Sequence, residues 1–339
     1  MEEVRSRGRG EAGASPTAQA TQIPVVGPPQ RLVTRVVLEF LIDVLVASTR
    51  AHGGDLKAMI VFMAIQHANI ELLETDPERA VSAFSAYPND DLRRPITTHA
   101  LAQSVSFPPE TCRRFVKKLM AAGYCRQIGD RGLIVPSEVM AREPFASSID
   151  STHAAFVNML NALNAIGFDV PAAAALHRGP SDLTFHLPPE PMRFALWTVM
   201  NGYIMRVLLD GIENHDHDFL RGLIFVTVMA INVEHITFDA SEAWRYANVE
   251  STPPDDQRTP ATVRAISNRI GIPYETTRQH LIRLVERGRA EKVSGGFIIP
   301  GTVNQDPRYL RMGLNIYWWL LRSVSQLERL GFDLAAAVA

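Results

Sequence analysis

Residues 260–300 read PATVRAISNRIGIPYETTRQHLIRLVERGRAEKVSGGFIIP, and this stretch decides the fold. Ile266 and Ile270 fall on one face of a short helix, and Gly271 and Pro273 punctuate a turn. Thr277, Leu281 and Leu284 then recur at helical spacing on a second helix, turning Tyr274, Glu275, Thr276, Arg278, Gln279 and Arg283 toward its polar side. Ser294-Gly295-Gly296 supplies the turn of a short β-hairpin. About 165 residues earlier, residues 95–136 read PITTHALAQSVSFPPETCRRFVKKLMAAGYCRQIGDRGLIVP. Glu110-Thr111-Cys112-Arg113 answers Glu275-Thr276-Thr277-Arg278, and Leu133-Ile134-Val135-Pro136 answers Phe297-Ile298-Ile299-Pro300. Recurrence of apolar, Pro, Gly and Arg positions at a fixed period points to a duplicated unit.

In the earlier copy, Thr97 or Thr98 is a good N-cap for a helix that buries Leu101 and Val105. Pro108-Pro109 opens the second helix, where a missing amide hydrogen costs little. Cys112, Val116 and Leu119 face inward; Pro109, Glu110, Arg113, Arg114 and Lys117 face outward. Gly123 ends the helix, and a hairpin follows around Gly129-Asp130-Arg131-Gly132. Two differences separate the copies. Ser106 stands where the other copy has Gly271, which predicts a looser first turn, and Lys117 stands where it has Ile282, which predicts two different outward surfaces.

The correspondence extends beyond these segments, because Leu56-Lys57-Ala58-Met59-Ile60 answers Leu220-Arg221-Gly222-Leu223-Ile224 and Ile166-Gly167-Phe168-Asp169 answers Leu330-Gly331-Phe332-Asp333. The expected architecture is mainly α: two tandem repeats, each a helical bundle carrying a helix-turn-helix and a two-stranded wing. A flexible tail covers residues 1–30, the first repeat 31–175, a linker 176–190 and the second repeat 191–339. Long helices are expected at Leu32 to Thr49, Ser151 to Ile166, Met192 to Leu209 and Pro307 to Leu330. Apolar helices are expected at Leu56 to Ile70 and Phe219 to His235, with short turns near Pro77 to Ser85 and Ser241 to Ala247.

With 339 residues and 46% hydrophobic content, the chain is long enough for two compact cores. The tail lacks an apolar signal core, and its Arg5, Arg7 and Arg9 read as solvated. The apolar run from Leu32 to Val46 is broken by charges, and Leu223 to Val233 is too short to cross a bilayer, so no membrane partner is expected. Cys112 and Cys125 form no metal-binding or disulfide pattern, and a reducing cytoplasm is the expected location. A net charge of −2 excludes a global basic field. Locally the balance differs. Six Lys/Arg between Ser106 and Arg131 face two acids, and eight between Arg258 and Lys292 face three, giving +4 and +5.

The two segments resemble the winged helix-turn-helix of bacterial one-component regulators of the MarR, GntR, IclR and Crp-like groups. In those groups an apolar-Gly-apolar turn precedes a helix opening on Glu-Thr or Ser-Thr and followed by Arg. The resemblance implies a transcriptional regulator in which one chain acts as a pseudo-dimer on double-stranded DNA. The implied DNA-binding residues are Pro109, Glu110, Arg113, Arg114, Lys117, Lys118 and Arg131 in one copy, and Tyr274, Glu275, Thr276, Arg278, Gln279 and Arg283 in the other. Arg pairs with guanine, Gln with adenine, and Glu accepts from cytosine in the major groove; lysines and wing residues hold phosphates. In dimeric regulators a two-fold axis sets reading helices about 34 Å apart, a spacing that the four long helices would supply here. A plasmid or phage replication initiator with tandem winged helices and a protein-interaction scaffold are the competing readings.

Other constellations carry less. Glu213, His215, Asp216, His217 and Asp218 are metal-capable, but sequence neighbours seldom converge on one ion, and a polar loop with a capping Asp is the better reading. Cys112 reads as a small core residue. Trp197, Tyr203, Tyr317, Trp318 and Trp319 read as core or interface before effector pocket, although a small-molecule effector and a homodimer stay open as partners. No nucleophile-base pair, phosphate loop or HExxH run is present, so neither enzymatic activity nor a cofactor or metal is expected.

Overall fold

Pro28 and Pro29 lead into the first long helix, α1 (Gln30–Ala51). Asp55 then caps α2 (Leu56–Thr75), its carboxylate accepting from the Ala58 amide at 3.1 Å. The computed structural model describes residues 28–75, 90–177 and 185–337. The tail to residue 27 and the turns expected at Pro77 to Ser85 lie outside the described residues.

The first half continues with α3 (Thr98–Ser104), α4 (Pro109–Ala121), a hairpin of β1 (Arg126–Ile128) and β2 (Gly132–Ile134), α5 (Ser137–Met140), α6 (Phe145–Ala165) and α7 (Val170–Ala175). The second half runs α8 (Pro189–Ile212), α9 (Phe219–Thr237), α10 (Ala240–Arg245), α11 (Val263–Ile270), α12 (Tyr274–Glu286), β3 (Glu291–Val293), β4 (Gly296–Ile298), α13 (Gly301–Asn304), α14 (Pro307–Arg329) and α15 (Leu334–Ala337). The chain is thus mainly α with two small antiparallel hairpins. Gln127 lies opposite Leu133 in one hairpin and Lys292 opposite Phe297 in the other. A single bridge adds a third short segment to each, Ile96 to Leu133 and Ala261 to Phe297.

The ends of the expected helices fall within five residues of the sequence expectation, except at the start of α6. α6 starts at Phe145, six residues before Ser151, because Phe145 is buried and stacks on Phe62 with ring centroids 4.6 Å apart. Pro171 sits in the first turn of α7, where its missing donor is harmless.

Four long helices, α1, α6, α8 and α14, close a ring in which each packs on the next. α2 lies against α8 and α9 against α1, so the first helix of each half covers the second helix of the other. Asn201 in α8 donates to the Met63 carbonyl of α2 at 3.3 Å, and Thr34 in α1 donates to the Gly313 carbonyl of α14 at 3.3 Å. α1 buries residues on more than one face, which is what a helix placed between two halves requires. One apolar core therefore runs through both 31–175 and 191–339, rather than two separate ones. Trp197, Tyr203 and Tyr317 belong to that core, and the Tyr203 hydroxyl donates to the Ile316 carbonyl at 3.3 Å.

The helix expected at Phe219 to His235 runs Phe219–Thr237, and although its apolar run Leu223 to Val233 was read as too short, the whole helix is long and apolar enough by length and composition to cross a membrane. It lies mostly buried against α1, α11 and α12, and bends at Val233, whose backbone is non-helical. That bend presents Asn232 to the neighbouring hairpin.

Candidate nucleic-acid interface

The segments at 95–136 and 260–300 are assembled by the same local devices. Thr97 accepts from the Ala100 amide at 3.2 Å to start α3, and Thr262 accepts from the Ala265 amide at 3.1 Å to start α11. Leu101 and Val105 are buried in one, Ile266 and Ile270 in the other. In the turn that follows, Gly271 takes a φ of 68°, and Ser106 takes 52°. The first turn is therefore not looser, as the missing glycine predicted; serine adopts the left-handed conformation that glycine adopts freely. That conformation costs an L-residue about 1–2 kcal/mol, partly offset by glycine's larger unfolded-state entropy. Ser106→Gly is expected to stabilise the protein by up to about 1 kcal/mol in urea unfolding. A loss of stability would show that the serine side chain supplies a contact of its own.

α4 buries Cys112, Phe115, Val116 and Leu119, and α12 buries Thr277, His280, Leu281 and Leu284. Phe115 and His280, which the spacing argument passed over, widen the apolar seam by one position in each helix. Burial pushes the Cys112 thiol up to about 11 and the Cys125 thiol up to about 12, so both are poor nucleophiles at neutral pH.

Each hairpin is tied to the bundle by one asparagine that sequence reasoning missed. Asn69 of α2 donates to the carbonyls of Arg94 (2.8 Å) and Leu133 (3.1 Å) and accepts from the Val135 amide (2.9 Å). Asn232 of α9 donates to the carbonyls of Thr259 (2.7 Å) and Phe297 (3.1 Å) and accepts from the Ile299 amide (2.8 Å). Both side chains are buried, each donating both amide hydrogens and accepting one bond on its oxygen. Below them, Asp90 accepts from the Ser137 amide and Asp255 from the Gly301 amide, at 2.8 and 2.7 Å, and each also pairs with an arginine, Arg93 or Arg258. The signal was a lone Asn in each apolar helix, 163 residues apart.

The same spacing relates two buried histidines. His52 packs at an angle against Phe62 and Phe145, and His215 against Phe225 and Tyr309. Asp55 and Asp218, three residues beyond each, cap α2 and α9. The correspondence of Leu56 with Leu220 drawn from sequence is thus one residue out of step with the caps. Burial lowers the His215 pKa to about 4, with Arg289 and Arg221 adding to the effect, so the ring is neutral at pH 7. Asp216 and Asp218 face Arg221, which accounts for the acidic loop as an ion-pair cluster.

The outward residues fall where the helical phase put them. Pro109, Glu110, Arg113, Arg114, Lys117, Lys118 and Arg131 are exposed, as are Tyr274, Glu275, Arg278, Gln279 and Arg283; Thr276 is half-buried. Several are already paired. Arg113 meets Glu110, and Arg278 makes a two-point contact with Glu275 at 2.7 and 2.8 Å, with Gln279 on the same carboxylate at 3.3 Å. Arg278 first, and Gln279 with it, hold the Glu275 carboxyl down to about 2. Lys118 is drawn back to Asp55 at 2.6 Å, Arg126 to Asp90 at 2.5 Å and Arg287 to Asp216 at 2.7 Å. Arg114, Lys117 and Arg131, and in the other segment Arg264, Arg283 and Lys292, have no ion-pair partner among the described residues. The charge of +4 and +5 read from sequence is thus partly spent inside the fold, and these six cations carry what faces solvent.

The segments also share a contact. Phe107, in the turn before α4, packs edge-on against Phe219 at the start of α9 with centroids 5.6 Å apart. Asp218, the next residue back along the chain, faces His280 of α12 at 3.6 Å. One loop of the second half therefore touches both segments. Comparison with family models, with curated proteins and with solved structures returned no match.

Proposed function

We propose that this chain is a sequence-specific double-stranded DNA-binding regulator of transcription, built as an internal duplication in which each unit carries a winged helix-turn-helix. The recurring Thr caps, left-handed turn residues, Asn anchors and His-aromatic clusters support the duplication, since independent origin of so many matched contacts is improbable. One observation carries the DNA reading: each half presents an exposed helix, α4 or α12, whose buried seam is apolar and whose open face bears Arg, Lys, Gln and Glu. An exposed helix of this kind fits the major groove, where those side chains distinguish base pairs.

Roles divide by pairing. Arg113 and Arg278 read guanine after exchanging their carboxylate partners for the base edge, and Gln279 reads adenine. Arg114, Lys117, Arg131 and Arg283 hold phosphates, while Lys118 mainly fixes α4 to the cap of α2. With two reading helices on one chain, an imperfect palindrome or a direct repeat is contacted by a pseudo-dimer. Lys117 and Ile282 at equivalent positions give the half-sites different preferences.

Footprinting on selected DNA tests this. Arg278→Ala is expected to cost about 1–3 kcal/mol and to relax base preference in one half-site only; Arg113→Ala should do the same in the other. Lys117→Ala should weaken all sites alike and reduce the salt slope by about one. Unchanged protection and preference in both Arg variants would refute the assignment.

A further inference from the structure

α1 meets α9 and α14 around a cavity of about 70 Å³, whose lining includes Arg31, Arg35 and Arg258 and the apolar Leu38, Val226 and Met229. About 10–15 Å³ suffices for one water, so this space takes a handful of heavy atoms. Arg35 is 8% exposed and Arg258 5%. Arg35 donates to the carbonyls of Tyr246 (2.7 Å) and Ala243 (2.9 Å), and Arg31 to those of Val249 and Asn304 (both 3.1 Å). Neither Nε has a hydrogen-bond partner among the described residues. Among the described residues only Arg258 of the three meets an acid, Asp255 at 2.9 Å, and no described carboxylate lines the cavity.

The buried Arg35 and the half-buried Arg31 thus line one cavity on neutral partners alone. Burial, then the charges of Arg31 and Arg258, pull the Arg35 pKa down to about 9, which still leaves it charged at pH 7. Uncompensated buried charge is strongly destabilising. Elsewhere the fold avoids it: the buried Arg221, in the first turn of α9, meets Asp216 and has Asp218 at 3.3 Å. We infer that the cavity is a binding site for a small carboxylate with a short apolar tail, its head between Arg31, Arg35 and Arg258 and its tail against Leu38, Val226 and Met229. A carboxylate matches the guanidinium fork, and the apolar wall gives no polar partner to a fully hydrated oxyanion.

α1 also carries the site's effect outward. One turn beyond Arg35, Glu39 pairs with Arg269 in the last turn of α11, the helix packed on α12. Anion binding that shifts α1 therefore alters the seat of α12, a coupling that rests on reading α12 as a DNA-contacting helix.

Calorimetry of the full chain with acetate, butyrate and hexanoate, with butyramide and inorganic phosphate as contrasts, tests the site without DNA. One carboxylate is expected to bind per chain, with affinity rising about fourfold per methylene from acetate to butyrate. Butyramide and phosphate should bind at least tenfold more weakly. Gly313→Val narrows the cavity while keeping all three arginines; a Cβ at Gly313 meets only Thr34 Oγ1, at 3.7 Å, so the variant is expected to fold. It should lose butyrate binding at least tenfold, as should Arg35→Gln where it folds. Absence of binding by all three carboxylates, equal binding of butyramide, preference for phosphate, or full binding by Gly313→Val would each overturn the site. Butyrate binding that leaves DNA affinity within twofold overturns the coupling alone. Failure to bind any DNA overturns the regulator reading and leaves the calorimetric result standing.

Discussion

Replacing Asn232 by leucine is expected to destabilise the protein by about 2–5 kcal/mol, and Asn69→Leu by a similar amount. Each asparagine satisfies three backbone groups, but the losses are unequal. The Phe297 carbonyl still accepts from the Ala261 amide at 2.9 Å, as the Leu133 carbonyl does from Ile96 at 3.1 Å. The buried Ile299 amide keeps no partner, which costs about 1–3 kcal/mol, and the Thr259 carbonyl, on an exposed residue, loses a bond worth about 1 kcal/mol. Leucine recovers some apolar burial but cannot bridge helix to hairpin. Urea unfolding of both variants checks the magnitude. A loss below about 1 kcal/mol in each would mean that the hairpins are held by their apolar residues and that the asparagines are incidental.

Gly132→Ala is the second large effect. Its φ of 129° lies outside the range L-residues favour, and an added Cβ would stand 2.5 Å from the carbonyl carbon and oxygen of Ile96. Those atoms are backbone and belong to the bridge between Ile96 and Leu133, so relief requires the segment before α3 to move. Strain and displacement together are expected to cost about 3–5 kcal/mol. Hydrogen exchange gives the local signature: the amides of Ile96 and Leu133, which bond each other's carbonyls at 3.1 and 2.8 Å, should lose protection well before those of α2. Gly296 meets the carbonyl of Ala261 at the same 2.5 Å, so the alanine variant there should behave alike. Equal exchange across hairpin and bundle in either variant would refute the local account.

Much of the helical framework was legible because its cues are local. Pro307 opens α14 where expected, and the three-and-four spacing of Thr277, Leu281 and Leu284 predicts the exposed face of α12, whereas α8 starts at Pro189, inside the expected linker. What the sequence hid depends on partners distant along the chain. Asp55 lies 63 residues from Lys118 and Glu39 lies 230 from Arg269, so the local charge count overstated what faces solvent. Asn69 and Asn232 looked like ordinary polar interruptions, since their three partners come from segments 25 to 67 residues onward. The exchange of first helices between halves leaves no periodic trace either. α1 is as apolar against α9 and α14 as it would be against α2.

That exchange has a thermodynamic consequence. Where two protomers trade helices, the folded population depends on how concentrated they are, because association is a bimolecular step. Here both partners are tethered, and the docking of α1 on α9 and of α8 on α2 is a unimolecular closure at a fixed effective concentration. The melting temperature should then be the same at nanomolar and micromolar protein. Dilution cannot dismantle the ring of four helices, nor separate the two unlike surfaces that it carries.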